Sequence, residues 1–372
     1  MQLNETEITS FRNYKSLRME WSPHTNILYG MNAQGKTNLL ESIYFLSLTK
    51  SHRTAQDKEL IHFGDSFTLV KGRVERNVGS VQLEVLLTNK GKKVKINGAE
   101  QRRLSDFIGM INVVLFAPED LELIKGTPQV RRKFLDMEIG QVSPAYLYYL
   151  NRYNKILLQR NHGLKEIAKG KMDQSLMGAW DEQLALYAPK IWRKRLDFLK
   201  KLSSWADEIH RRITDGKEKL LLHYQGSIPL EEQPDEETLR EKYFEVLQSK
   251  AERDVERGFT QYGPHRDDLL FTIDGNEVQS FGSQGQQRTV ALALKLAEIE
   301  LIREEIGEYP VLLLDDVFSE LDVKRQTHLI TGFWDKCQTF ITTTGVEAIP
   351  MEFLKMASLY HIENGKVSVE GR

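Results

Sequence analysis

The chain has 372 residues, 40% of them hydrophobic and 28% charged, so it is long enough to bury a substantial core and has the profile of a folded globular protein. No apolar run is long enough to span a bilayer, and the opening MQLNETEITSF lacks the basic start and apolar stretch of a secretory signal. A formal net charge of −2 excludes a uniformly basic nucleic-acid binder but not a local basic surface, and the lone Cys337 cannot close an intramolecular disulfide, which suits a cytoplasmic protein.

In chain order, the alternation over 2–8 predicts a strand, and Asn26-Ile27-Leu28-Tyr29 a short buried strand running into Gly30. Leu39, Leu40, Ile43 and Leu46 then recur at helical spacing. Phe67–Val74 and Val81–Leu87 read as strands, and Asn89-Lys90-Gly91 turns the second into Lys93–Ile96. Val113–Phe116 is a short apolar run ended by Pro118. From about 129 to 256 the pattern is helical, with Tyr146–Arg160, Met177–Trp205 and Thr238–Arg257; Pro189 predicts a kink or break in the second of these. Leu269–Ile273 and Glu277–Val278 read as a hairpin around Asp274-Gly275, a helix follows over 286–305, and Val311–Leu314 and Phe340–Thr343 read as buried strands of a parallel sheet. A last hairpin turns at Asn364-Gly365.

This order predicts an α/β nucleotide-binding head in two pieces, 1–128 and 257–372, with a helical lobe over 129–256 inserted between them. Charge is uneven along the chain. Residues 131–224 carry 19 Lys/Arg against 11 Asp/Glu, and residues 225–256 carry 4 against 10.

Residues 30–37 read Gly30-Met31-Asn32-Ala33-Gln34-Gly35-Lys36-Thr37, a match to G-x-x-x-x-G-K-[ST] between a buried strand and an amphipathic helix. Glycines let the backbone wrap tightly, so its N–H groups and the helix N-terminus point at phosphate oxygens. Lys36 then reaches the terminal phosphates of ATP, and the Thr37 hydroxyl ligates Mg²⁺. The run VLLLDDVFSELD over 311–322 is the second signal, because a core strand seldom ends in adjacent acids unless they bind something. Asp315 is the expected Mg²⁺-side carboxylate, and Asp316 the group that polarises the attacking water. Gly282-Ser283-Gln284-Gly285-Gln286 opens the helix over 286–305, with Ser283 at the cap position; taken alone, it is an ordinary helix start as much as an anion site.

A phosphate loop, then a distant S-x-G-Q-x-R, then the acidic strand with Ser319 and Asp322: this order resembles ABC-type ATPases. That resemblance implies a homodimer sandwiching two ATPs, with Ser283, Gly285 and Gln286 acting in trans and Ser319 and Asp322 at the interface. The long gap between Lys36 and Ser283 points to the DNA-repair and chromosome-maintenance branch, and the lack of sustained heptads excludes a long coiled-coil tether. Phe11-Arg12-Asn13-Tyr14, Ser51-His52-Arg53-Thr54, Phe116-Ala117-Pro118-Glu119-Asp120-Leu121, Arg131-Arg132-Lys133-Phe134-Leu135-Asp136 and Tyr262-Gly263-Pro264-His265-Arg266-Asp267-Asp268 span nearly the whole chain. Together they resemble the RecF family.

The resemblance implies a DNA-stimulated ATPase of gap repair, replication restart and the SOS response, with DNA, RecO and RecR as partners and RecA loading as the outcome. It also places Arg12 near the nucleotide, although a solvated turn arginine fits the sequence equally well. Three departures from the wider ABC pattern accompany it. Asp316 stands where most have Glu, which predicts slow hydrolysis; Thr342-Thr343-Thr344 replaces the switch His; and Ala117–Asp120 stands in place of the usual Gln.

The candidate DNA contacts are Arg131, Arg132 and Lys133, together with Arg152 and Lys155 on a helix that also carries Tyr148 and Tyr149. Lys90, Lys92, Lys93 and Lys95 form a second candidate strip. By charge alone, these residues are as readily solvated faces of helices and strands. No base-reading motif is present, so DNA structure rather than DNA sequence is the expected target.

Overall fold

The computed structural model describes residues 1–231, 235–320, 325–326, 336–349, 351–354 and 357–370. They divide into two compact units: Met1–Leu121 with Glu208–Lys217 and Arg288–Arg372, and Glu122–Asp207 with Glu218–Gln287. The fold is the α/β ABC-type head with a β-rich N-terminal part and an inserted helical lobe that the sequence predicts.

In the first unit, β1 (Gln2–Phe11), β2 (Tyr14–Glu20), β4 (Phe67–Arg76), β5 (Gly79–Thr88), β6 (Gly91–Ile96) and β7 (Ala99–Glu100) form an antiparallel sheet in the order β2-β1-β4-β5-β6-β7. One face of it is apolar because residues alternate along each strand, with Val70, Val74, Leu83, Val85 and Val94 turned inward. The second sheet contains β3 (Thr25–Tyr29), β8 (Val113–Phe116), β12 (Val311–Asp315), β13 (Thr339–Thr343), β14 (Ala357–Glu363) and β15 (Lys366–Glu370), in the order β15-β14-β3-β13-β12-β8. Its pairs are parallel except β14 with β15. The helix α1 (Lys36–Leu48) touches strands of both sheets, which explains why it is buried nearly all round.

The second unit holds β9 (Leu220–Gln225), β10 (Asp268–Ile273) and β11 (Asn276–Glu277) beside the helices α2 (Glu122–Lys125), α3 (Pro128–Val142), α4 (Pro144–Ala168), α6 (Glu236–Ser249) and α7 (Ala251–Arg257). The helix α5 (Met177–Ile213) belongs to it through Asp207. Ser143 caps α4 by accepting a hydrogen bond from the Tyr146 N–H, with Pro144 in the first turn. Of the kink or break expected at Pro189, the break does not occur: α5 runs through it. A proline removes one backbone hydrogen bond. Leu184, Ala185, Ala188, Ile191 and Trp192 are all buried around it, and that packing holds the helix together. Val278, expected in a strand, opens the short helix α8 (Val278–Phe281).

Several of the basic residues are internal. Arg160 is fully buried and donates to Asp181 (2.7 Å), Asp254 (2.7 Å) and Thr260 (2.8 Å). Arg195 is buried too, bonded to the Tyr146 hydroxyl (2.9 Å), Asp136 (2.8 Å) and the Pro264 carbonyl (2.6 Å). One of the DNA-contact candidates, Arg131, is corrected on the same grounds. Arg131 is 3% exposed, grips both oxygens of Asp268 and donates to the Gly126 carbonyl, whereas Arg132 is half-buried and donates to the Asp267 backbone carbonyl. A guanidinium buried against a carboxylate fork is turned away from solvent and already paired, so it is not available to a phosphate. Lys133 remains exposed.

The Lys90–Lys95 strip is also largely neutralised. Lys92 pairs with Asp57, Lys93 with Glu100 and Lys95 with Glu84.

Candidate functional site

β3 and β12 flank β13 in the parallel sheet, so the loop after β3 and the acids ending β12 emerge at the same edge. Ligands of open α/β sheets bind in the crevice outside the carboxyl ends of parallel strands. Here that crevice is a cleft of about 340 Å³, walled by Lys36, Thr37, Arg53, Asp316 and Thr342 among others.

The loop over 30–37 needs its glycines for stated reasons. Gly30 has φ 148°, and a Cβ there would lie 2.3 Å from the Ile362 carbonyl oxygen. Gly35 has φ 116°, and its Cβ would meet the Asn13 amide at 2.5 Å. Neighbouring turns brace the loop. The Tyr14 hydroxyl donates to the Gly35 carbonyl (3.0 Å), the Gly365 N–H to the Gln34 carbonyl (3.1 Å) and the Asn364 N–H to Gln34 Oε1 (2.7 Å).

Lys36 folds back over its own loop, donating to the carbonyls of Gly30 (2.7 Å) and Met31 (2.8 Å). Burial lowers the pKa of its ammonium, and the charges of Asp316 and Asp315 oppose that shift. Thr37 Oγ1 donates to Asp315 Oδ1 (2.9 Å), and Thr342 Oγ1 donates to the same oxygen (2.6 Å). The Asp316 N–H donates to Thr342 Oγ1 (2.9 Å), and Asp316 has φ 52°, in the left-handed region that aspartate tolerates better than most residues. Asp315 is buried and Asp316 exposed, so the two carboxylates occupy different environments. The oxygen donors Thr37 and Asp315 fit Mg²⁺, which takes one or two protein oxygens and completes its shell with phosphate and water.

Arg12 is not among the residues that wall this cleft. Its guanidinium grips the buried Glu41 on α1 through Nε (2.9 Å) and Nη2 (2.8 Å) and reaches the Glu59 carbonyl (2.8 Å). Burial pushes the Glu41 carboxyl up, but hydrogen bonds from Arg12 and Ser51 outweigh it and hold its pKa below the usual range. The cleft arginine is Arg53, which donates to Asn38 (2.9 Å) on the first turn of α1. Ser51-His52-Arg53-Thr54 drew attention only as a resemblance, because nothing in its pattern shows that Arg53 faces the phosphate loop. Thr342 was likewise legible only as a missing histidine.

Ser283 and Gln286 belong to the second unit and form a capping box at the start of α9 (Gln284–Ile306). The Gln286 N–H donates to Ser283 Oγ (3.2 Å), and the Ser283 N–H donates to Gln286 Oε1 (2.9 Å). The Ser319 side chain and Asp322 lie outside the described residues.

A strand–glycine loop–helix with its lysine, faced by a carboxylate at the end of a neighbouring parallel strand, defines a P-loop ATPase head of the ABC type. The chain matches the family described as the RecF/RecN/SMC N terminal domain over residues 2–368. It is 50% identical over 371 residues to the DNA replication and repair protein RecF of Halalkalibacterium halodurans, covering 100% of both chains. It is 52% identical over 368 residues to the protein of that name from Staphylococcus carnosus, covering 99% of this chain and 100% of the relative. Among solved structures, that of the recombination mediator protein RecF-ATP in the RecFOR pathway superposes with a TM-score of 0.93 at 36% identity, covering 100% of this chain and 98% of the other. The chain belongs to the RecF family. Among the described residues no helix is long and apolar enough to cross a membrane.

Proposed function

We propose that this chain is an ATP-dependent DNA-binding protein of recombinational gap repair and replication restart, in which ATP closes two copies on DNA and hydrolysis releases them. The observation that carries the nucleotide half of this reading is the bonded set Thr37–Asp315–Thr342 at the mouth of the braced phosphate loop. The backbone N–H groups of 31–36 and the start of α1 would hold the phosphates. The Lys36 ammonium would exchange its two loop carbonyls for phosphate oxygens. Thr37 and Asp315 would hold Mg²⁺, which supplies charge neutralisation to the transferring phosphoryl group. Thr342 keeps Asp315 oriented. Asp316 would orient the attacking water, and its side chain, one methylene shorter than Glu, supports a slow turnover.

Ser283, Gly285 and Gln286 would cap the terminal phosphate from the partner copy, with Ser319 and Asp322 lining that interface. The 50% identity to RecF relatives across the full chain supports DNA as the macromolecular ligand, RecO and RecR as partners, a cytoplasmic location and a part in the SOS response. DNA would stimulate the ATPase.

The test measures ATP turnover across a protein concentration series, with and without gapped duplex DNA, alongside sedimentation of Asp316→Asn. A rate per molecule that rises with concentration and with DNA, and an Asp316→Asn dimer trapped in ATP, are expected. A variant that stays monomeric in saturating ATP would sink the closing-dimer mechanism.

A further inference from the structure

Some of the basic residues that make 131–224 positive are held by internal carboxylates, as the second unit shows for Arg131, Arg160 and Arg195. A short strip on the outer side of α4 and α5 is different. Contacts from α4 to α5 run in opposite directions along the two helices, from Arg160 with Asp181 to Tyr146 with Arg195, so the pair is antiparallel. On its outer side three half-buried tyrosines pack together. Tyr148 lies 5.7 Å from Tyr149 and 6.5 Å from Tyr187, and Tyr149 lies 6.4 Å from Tyr187, ring centre to ring centre.

Cations cover this cluster. The Arg152 guanidinium sits 5.4 Å from the Tyr148 ring, and the Lys190 ammonium, which is paired with Glu236, 5.6 Å from the Tyr149 ring. Lys155 is one turn beyond Arg152 on α4, and both are exposed with no carboxylate partner among the described residues. Tyr148, Arg152 and Lys155 are spaced i, i+4, i+7, and Tyr187 and Lys190 i, i+3, so each set lies on one helix face. The result is an aromatic cluster continued along α4 by two cations, about 10 Å from Tyr148 to Lys155 at 1.5 Å per residue.

We infer that this strip, centred on Tyr148, Tyr187 and Arg152, is a platform for single-stranded nucleic acid, with backbone phosphates on Arg152 and Lys155 and an unpaired base on the tyrosines. The inference rests on the DNA-binding reading above and assigns it a surface. Charge complementarity selects a polyanion, and the aromatic cluster selects one whose base faces are free, which a duplex does not offer. An acidic protein segment would satisfy the cations without needing the rings.

The experiment follows binding of the full-length protein, with ATP present, to fluorescent oligo-dT and to a duplex of equal length, by anisotropy over a salt series. The variants are Arg152→Gln with Lys155→Gln, Tyr187→Leu, and Lys58→Gln as a control on an exposed lysine of the other unit. The double variant is expected to flatten the log affinity–log salt slope for oligo-dT by about 1.4, two phosphate contacts on a single strand. Tyr187→Leu is expected to weaken oligo-dT binding roughly fivefold or more without changing that slope, and duplex binding less than twofold. The control is expected to change neither. ATP turnover without DNA reports that each variant is folded.

Equal losses on oligo-dT and duplex would overturn the stacking role. Unchanged binding in both variants would overturn the site and leave the strip to a protein partner. Failure of the unsubstituted protein to bind any DNA would instead remove the underlying DNA reading. A cross-link from 5-iodo-deoxyuridine to a tyrosine of 144–168 or 177–207 is the direct positive result, and its appearance only elsewhere in the chain is a negative one.

Discussion

In the first unit, Lys36 stands at the wall of a cleft and is bonded only to carbonyls of its own loop, so it can turn to an incoming anion. In the second unit, Arg160 and Arg195 are wholly buried and each is fixed by carboxylates and hydroxyls from distant parts of the chain. The same side-chain chemistry serves binding in one place and architecture in the other. What separates them is the partner already present. A cation facing neutral acceptors can exchange them for phosphate, whereas one facing buried carboxylates cannot leave without stranding charge.

The largest effect should come from breaking an internal pair. Arg160→Met would leave Asp181 and Asp254 buried without their partner and is expected to cost about 3–5 kcal/mol of unfolding free energy, read by chemical denaturation. A loss under about 1 kcal/mol would mean the network is not structural. Next comes the cleft. Lys36→Ala is expected to lower ATP turnover by about 10²–10³-fold, the scale for removing one preorganised donor, with melting temperature nearly unchanged. A matching fall in stability would erase the contrast between the two units.

The smallest effect concerns a buried acid in the first unit. Burial pushes Asp120 up to about 6, opposed by the Lys295 charge and by the Ala117 N–H it accepts (2.9 Å). Because the folded value lies above the unfolded one, this group's contribution to stability is present below about pH 4 and is lost as pH rises through about 6. The expected size is on the order of 1–2 kcal/mol, allowing for partial contact with solvent. Stability curves of the unsubstituted protein and Asp120→Asn between pH 4 and 7 should diverge accordingly; parallel curves would place this acid in water.

The elements nearest the nucleotide were the most legible. β3, α1 and β12 could be read because buried parallel strands are continuous apolar runs and the phosphate loop has fixed spacing. The basic lobe was less legible, since a sequence reports charge but not whether a carboxylate from 137 residues away closes on it, as Asp268 does on Arg131. The bond from Thr342 to Asp315 was hidden for a related reason. A threonine inside a β-branched strand looks like strand propensity, and only the register of β12 with β13 sets its hydroxyl against Asp315. At Pro189 the sequence left a kink and a break both open, and packing along both flanks of α5 keeps the helix continuous.

The strand order of the parallel sheet carries a consequence for how the protein is made. β3 lies between β13 and β14, so both of its neighbours are encoded more than 300 residues after it. At a synthesis rate of about 5–20 residues per second, the strand that feeds the phosphate loop waits roughly 15–60 s for its first hydrogen-bonding partner. Pairings of such sequence separation also fold slowly once the chain is complete. During that interval Ile27 and Leu28, fully buried in the finished protein, have no sheet to enter. The nucleotide site is thus assembled late on the ribosome, and its strand is the segment for which a chaperone has the longest opportunity.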